Sequence, residues 1–210
     1  MDLRTLARGV TTTTELEIRR SRFITWLRRA DDEEAARELV EEARHTYPDA
    51  RHHCSAFVVR VPGANLVERS SDDGEPAGTA GMPMLEVLRG SGLVDISAVV
   101  IRYFGGVKLG TGGLVRAYSD AVRSALEEAP VVVLRESRLH AVTLSHAEAG
   151  RVESELRALG FTVDDVTYAE QVTLTLATND DGALTSAVAG LTGGGAEVRP
   201  AGSRVVELPA

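Results

Sequence analysis

Two stretches of this 210-residue chain concentrate the residue types that can do chemistry. The first runs Arg102-Tyr103-Phe104-Gly105-Gly106-Val107-Lys108-Leu109-Gly110-Thr111-Gly112-Gly113-Leu114 and continues to Arg116. Glycine lets consecutive backbone N–H groups converge on one concavity, and a helix starting there adds its positive end, so a phosphate or carboxylate is the natural ligand. Lys108 is the only lysine among 23 basic residues and would add a compact, rotatable ammonium, with Arg102 or Arg116 as a second contact. The spacing is not Gly-x-x-x-x-Gly-Lys-Ser/Thr. Nor is it Gly-x-Gly-x-x-Gly, because Val115 holds the third glycine position. The plain alternative is a tight strand-to-helix connection. Arg116 shares a helix face with Asp120 and Arg123, so for it the plain alternative is a solvated i,i+4 pair. Tyr103 and Phe104 beside Arg102 are the one aromatic–basic cluster, serving as a stacking platform for a base or as a core anchor at a strand end.

The second stretch is Ser70-Ser71-Asp72-Asp73-Gly74-Glu75-Pro76-Ala77-Gly78-Thr79-Ala80-Gly81. Asp72, Asp73 and Glu75 could act as a general base or hold a hard cation such as Mg²⁺, grip basic groups, or shape a turn. Their spacing is too short for a calcium loop of the helix–loop–helix kind. A third group, His52-His53-Cys54, places His52 and Cys54 on one face of a strand and His53 on the other. Strand neighbours two apart are too distant for a direct thiol–imidazole hydrogen bond, so Cys54 reads as a small buried hydrophobe.

The elements that must position these groups are legible from periodicity. Thr11–Ile18 and Phe23–Leu27 read as strands, and Asp31 with Glu34 reads as a capping pair for a helix ending near Tyr47-Pro48. A strand follows over His52–Val61, then a Pro62–Asn65 turn and a short strand at Leu66–Arg69. Ser70–Gly81 reads as loop, Met84–Leu88 as a short helix and Val94–Arg102 as a buried strand. Gly105–Gly113 connects it to a helix over Leu114–Glu128 that Pro130 ends. From Leu139 the signals run strand, helix, strand, strand, helix, strand, with a last strand at Glu197–Leu208 interrupted near Pro200–Gly202. That β-α-β-β-α-β order is the split arrangement of a ferredoxin-like sandwich. The domains expected are therefore 1–134 and 137–210, an α+β chain.

Composition narrows the classes. At 43% apolar and 26% charged residues the chain is an ordinary globular protein, and one cysteine leaves no disulfide framework and no cysteine-built zinc cage. The charged N-terminus does not resemble a signal peptide and no apolar run spans a bilayer, so a cytoplasmic protein without membrane contact is expected. The net charge of −8 argues against a general nucleic-acid coat. Between Ser97 and Ser124, however, Arg102, Lys108, Arg116 and Arg123 face only Asp120. The segment from Ser137 onward carries 5 arginines against 10 acidic residues and is a poor RNA binder on charge alone.

The runs SSDDGEPAGTAG (Ser70–Gly81) and VVIRYFGGVKLGTGGLVRAY (Val99–Tyr118), with ARHHCSAF (Ala50–Phe57) and Ser21-Arg22-Phe23, closely resemble the signature of the IMPACT/YigZ family along the whole chain. The resemblance implies an N-terminal IMPACT domain with a left-handed βαβ superfold, shared with a ribosomal small-subunit protein. It also implies a ferredoxin-like C-terminal domain akin to one of elongation factor G. The family signature falls on Asp72, Asp73, Glu75, Arg102, Tyr103, Gly105, Gly106, Lys108, Gly110, Gly112, Gly113 and Arg116. Eukaryotic relatives restrain a starvation-sensing kinase by competing for its activator, largely through an extra N-terminal domain; this sequence lacks it, so that partner is not expected. Two functions follow as expectations. One is a cytosolic, non-enzymatic, translation-linked regulator acting under stress, which binds RNA or a ribosome-associated partner through the Arg102–Arg116 loop and needs no cofactor. The other is an enzyme on a phosphorylated or carboxylated small molecule, with the glycine loop, Thr111 and Lys108 holding the anion and Asp72, Asp73 or Glu75 serving as base or Mg²⁺ ligand.

Overall fold

In the computed structural model, which describes residues 3–61 and 63–210, the chain divides into one unit over Leu3–Val133, with Leu208–Ala210, and another over Leu134–Glu207. The first contains β1 (Leu3–Leu6), β2 (Thr11–Ile18), β3 (Ser21–Arg29), α1 (Glu33–Thr46), β4 (His52–Val59), β5 (Val67–Ser71), α2 (Gly81–Ser91), β6 (Ile96–Tyr103) and α3 (Thr111–Glu128). Its main sheet has the order β2-β3-β6-β4-β5, every neighbouring pair antiparallel.

Strand alternation sends β6 residues to two different layers. Ile96, Ala98 and Val100 pack with Met84 and Leu88 of α2 and Ala121 and Val122 of α3. Val99 and Ile101 pack on the opposite side with Leu39 and Ala43 of α1. A strand buried on both faces must be apolar throughout, which is why this segment lacks a polar alternation.

This layering fixes a chirality. β3 and β4 are parallel, separated by β6 and joined through α1; β5 and β6 are parallel, separated by β4 and joined through α2. The two crossovers run in opposite directions across the sheet, along oppositely directed strands. A half-turn about the sheet normal superimposes their strand paths but leaves α1 and α2 on opposite faces. The crossovers therefore have opposite hands, and one of the two departs from the usual right-handed rule.

Several elements differ from the periodicity reading. Asp32, not Asp31, caps α1, its Oδ1 accepting from Ala35 N at 2.8 Å, while Asp31 is taken by Arg8 and Arg29. The helix read at Met84–Leu88 extends over Gly81–Ser91, with Pro83 in its first turn, where a missing N–H costs nothing. Ser70 and Ser71 finish β5 rather than opening the loop, and β1 precedes the strands expected to open the chain. Pro62 of the expected turn lies outside the described residues.

β7 (Val131–Leu144) is one uninterrupted strand, where a strand from Leu139 was expected after a break. The second unit continues through α4 (His146–Ala158), β8 (Thr162–Tyr168), β9 (Val172–Ala177), α5 (Asp181–Thr192) and β10 (Val198–Pro209). Strand order β10-β7-β9-β8 with a core of Val142, Val152, Leu156, Leu174 and Leu184 makes it the α+β sandwich expected from the pattern. β10 is continuous through Pro200–Gly202. Among the described residues no helix is long and apolar enough to cross a membrane.

Candidate functional site

The carboxylates of the 72–75 loop do three separate jobs. Asp72 accepts from Gly78 N at 2.8 Å through one oxygen and from Ala80 N at 3.0 Å and Gly81 N at 2.8 Å through the other. Burial alone would raise its pKa, but these three donors outweigh it and hold the carboxyl below the ordinary aspartate value. Asp72 thereby serves the start of α2, whose own N-cap Ala80 has no side chain to offer. Asp73 takes up positive φ (42°) and bridges elements, accepting from His53 N at 2.6 Å and Arg44 at 2.9 Å. Its carbonyl lies 2.8 Å from His52 Nδ1.

Glu75 is buried. One oxygen accepts from Arg102 at 2.5 Å and from the Tyr118 hydroxyl at 2.8 Å. The Cys54 Sγ lies 3.3 Å from that hydroxyl and 3.0 Å from the Asp72 carbonyl, and burial pushes its thiol up to about 12. Such a thiol is not a nucleophile at neutral pH. Among the described residues no three His, Cys, Asp or Glu side chains are grouped to hold a metal ion.

At the end of β6 alternation separates Arg102 from Tyr103. Arg102 turns to the α2–α3 side, its guanidinium 5.4 Å from the Phe23 ring centroid and 5.6 Å from that of Phe104, with only 7% of the side chain exposed. Its terminal nitrogen holds Glu75, while Nε is buried with no acceptor. Tyr103 turns to the α1 side and donates to Asp49 at 2.7 Å; desolvation and that carboxylate push the phenol up to about 12. The two aromatics therefore do not form one platform. Phe104 remains half exposed.

The glycine run is shaped by close approach and by handedness. A Cβ on Gly105 would lie 2.0 Å from the Arg20 carbonyl, so the loop can rest on the β2–β3 turn only as glycine. Gly106 and Gly110 adopt φ of 83° and 75°, which β-carbons resist. α3 begins at Thr111, earlier than the periodicity suggested, because Gly112 and Gly113 are helical. Gly110 precedes it with no side-chain cap, and its first turn holds no acid.

The two loops meet. A cleft of about 440 Å³ is lined by Arg51, Glu75, Arg102, Phe104, Lys108 and Thr111, among others. A larger hollow of about 670 Å³ lies beside Arg60 and Asp95, but those two are already committed to each other at 2.5 Å. Of the expected site residues, Glu75, Arg102, Lys108, Gly110 and Thr111 line the cleft; Asp72, Asp73, Tyr103, Gly105, Gly106, Gly112, Gly113 and Arg116 do not. Arg116 makes no ion pair among the described residues, and the expected i,i+4 contact is replaced by Asp120 with Arg123 at 2.7 Å.

Among the described residues most arginines elsewhere are matched to carboxylates, as Arg28 is to Glu42 and Arg89 to Glu68. At the end of the sheet beside the glycine loop Arg22, Arg44 and Arg102 are matched in the same way, but five other cations are not. Arg19 and Arg20 occupy the β2–β3 turn that touches Gly105, and Arg51 immediately precedes His52, which pairs with Arg102 in the sheet. Lys108 is in the loop and Arg116 in the second turn of α3. All five are exposed, and none forms an ion pair among the described residues. Sequence reasoning missed Arg19, Arg20 and Arg51. The available signals were a two-arginine turn between strands and the arginine opening the ARHHCSAF run.

Residues 19–126 match the Impact N-terminal domain model, a span that contains all five unpaired cations and the cleft, and residues 142–194 match a domain of unknown function, DUF1949. IMPACT family member YvyE of Bacillus subtilis is 42% identical over 159 residues, 75% of this chain and 72% of that protein. IMPACT family member YigZ of Escherichia coli is 56% identical over 112 residues, 53% and 55% of the two chains. A crystal structure described as a hypothetical protein superposes with TM-score 0.62 at 36% identity, covering 94% of this chain and 96% of that one. A two-domain translational regulator, Yih1, is a looser likeness with TM-score 0.41 at 24% identity and does not bear on function. On the domain match and the length of the shared sequence, this chain belongs to the IMPACT family.

Proposed function

We propose that this protein is a translation-linked regulatory factor whose N-terminal unit binds RNA through the cationic end of its main sheet. The observation that carries the reading is a set of exposed cations near the glycine loop that no carboxylate matches among the described residues. In a chain of net charge −8, Arg19, Arg20, Arg51, Lys108 and Arg116 are exposed without an ion pair among the described residues, and of them Arg51 and Lys108 line the cleft. Unpaired cations release counterions from phosphates on binding, and a local patch of them works against an acidic whole. The link to translation rests on the family resemblance.

The test is a titration of the full chain into bulk tRNA and ribosomal RNA across a salt series. Binding should weaken steeply with salt, and Lys108→Ala and Arg51→Ala should each flatten the slope by about one phosphate contact. Binding that is absent at low salt, or indifferent to salt, refutes the reading.

A second reading has one observation in its favour: the cleft joins the Glu75 loop to the Lys108 loop, as an enzyme acting on a small phosphorylated or carboxylated molecule would require. Against it stands the commitment of Asp72, Asp73 and Glu75 to backbone, Arg44 and Arg102. Thermal stabilisation by a metabolite or Mg²⁺, followed by turnover, would favour that reading.

A further inference from the structure

His52 lines the cleft together with Arg51, Arg102 and Lys108. It is the first residue of β4, and its register partner on β6 is Arg102, so the two side chains share a face of the sheet. The imidazole is held along one edge only. Nδ1 lies 2.8 Å from the Asp73 carbonyl oxygen, and a Cβ on Gly74 would meet the same edge at 3.5 Å. A carbonyl oxygen accepts and never donates, so Nδ1 carries a proton in the neutral and the cationic ring alike. Nε2 is then either a lone pair or a second N–H. That nitrogen has no hydrogen-bond partner among the described residues, and it is not sealed from solvent.

The charges around the ring decide what can meet Nε2. Arg51 precedes it on β4 and Lys108 comes from the glycine loop, both without a counter-charge among the described residues. Arg102 of β6 is held by Glu75, the one carboxylate of the cleft lining. The Asp73 carboxylate is taken by His53 N and Arg44, and the charged side chains of α2, Glu86 and Arg89, pair with each other. His53 faces the other side of the strand; it is 6% exposed and burial pulls its pKa below the ordinary histidine value, so it is not the group a ligand meets. Two free cations and no free carboxylate leave a phosphate as the partner that suits an Nε2–H donor.

We propose that His52 is a phosphate-contacting residue of the RNA surface and that its protonated ring, donating through Nε2, is the binding form. The inference rests on the RNA reading and adds to it a dependence on pH. Histidine changes charge between about pH 5 and 8, a range across which an RNA diester keeps its single charge, so the change in affinity belongs to the protein. Contact with an anion favours the cationic ring. Each complex therefore takes up a proton, and affinity falls as pH rises.

Titration of the full chain into bulk tRNA at constant ionic strength, between about pH 5.5 and 8.5, tests it. The variant is His52→Asn, whose amide keeps a donor for the Asp73 carbonyl and has nothing in the place of Nε2. The parent should bind about tenfold more tightly at the acid end, the worth of one charge-assisted hydrogen bond, and its salt slope there should be steeper by about one contact. His52→Asn should lose both changes and match the parent at the alkaline end, while His146→Asn in the second unit should behave as the parent does. A variant weakened equally at every pH would make His52 a structural residue and overturn the proposal. In the parent, the ring-proton signals of His52 in nuclear magnetic resonance should titrate at higher pH with a short RNA oligomer than without it. A titration that RNA does not move overturns the proposal without recourse to any variant. If tRNA binds with a steep salt slope but the parent's affinity is flat in pH, or falls equally in His52→Asn, the role of His52 is refuted while the RNA surface stands. If tRNA binds at no pH, both readings fall.

Discussion

Replacing Glu75 with alanine should cost the N-terminal unit much of its stability, because this carboxylate supports a buried cation rather than waiting for a substrate. Arg102 and Glu75 side chains are 7% and 4% exposed and meet at 2.5 Å, so the variant leaves a guanidinium out of water without its counter-charge. It also removes the acceptor that Tyr118 reaches at 2.8 Å. Removing one partner of a buried pair costs about 3–5 kcal/mol. At about 3–4 °C per kcal/mol for a domain of this size, Tm falls by roughly 10–20 °C. Glu75→Gln keeps an oxygen in place and should lose less. The double variant Glu75→Leu, Arg102→Met removes both charges and should be more stable than Glu75→Ala alone. Scanning calorimetry of the four proteins decides the matter. A Glu75→Ala protein within about 1 kcal/mol of the parent would mean that the Arg102 charge needs no partner, and the structural role given to Glu75 would be wrong.

Three further outcomes follow from neighbouring contacts. The Asp72 carboxyl is held below its ordinary value, so its contribution is full above the unfolded pKa near 3.8 and is lost as pH falls through the lower folded value. Asp72→Asn should therefore lower stability at pH 7 by about 1–2 kcal/mol, and denaturant titrations should show the gap closing below pH 3.8. Gly105→Ala places a carbon 2.0 Å from the Arg20 carbonyl and should cost about 3 kcal/mol by overpacking, whereas Gly112→Ala, with open space, should be neutral or stabilising; chemical denaturation separates them. Cys54, with its thiol pushed up to about 12, should resist a thiol reagent at pH 8 in the folded protein and react at once in denaturant.

How much of this was legible beforehand depends on the range of the interaction. Helix α1 and its end at Tyr47 follow from local apolar spacing and from Pro48, both short-range signals. The β-α-β-β-α-β order of the second unit was readable for the same reason, and family motifs pointed to the first domain. The choice of Asp32 over Asp31 as cap was not readable, because it depends on Arg8, 23 residues away in sequence, joining the neighbouring Arg29 on Asp31. The opposite hands of the α1 and α2 crossovers emerge only once strand order is known.

At the site, glycine density identified the loop and its lone lysine. It could not reveal that Glu75 would be spent on Arg102, that Tyr103 and Phe104 would part to different environments, or that Arg51 would join them across the sheet. Each of those depends on register between strands distant in sequence, which fixes side-chain faces only after pairing.

The most direct test of the central claim is the affinity of the full chain for bulk tRNA between low and physiological salt, with Arg51→Ala and Lys108→Ala in parallel and Arg123→Ala, whose arginine is paired with Asp120, as the control. The account predicts a steep salt slope that each of the first two variants flattens by about one contact and the control leaves unchanged. Equal slopes for all four proteins, or no binding at low salt, would contradict it.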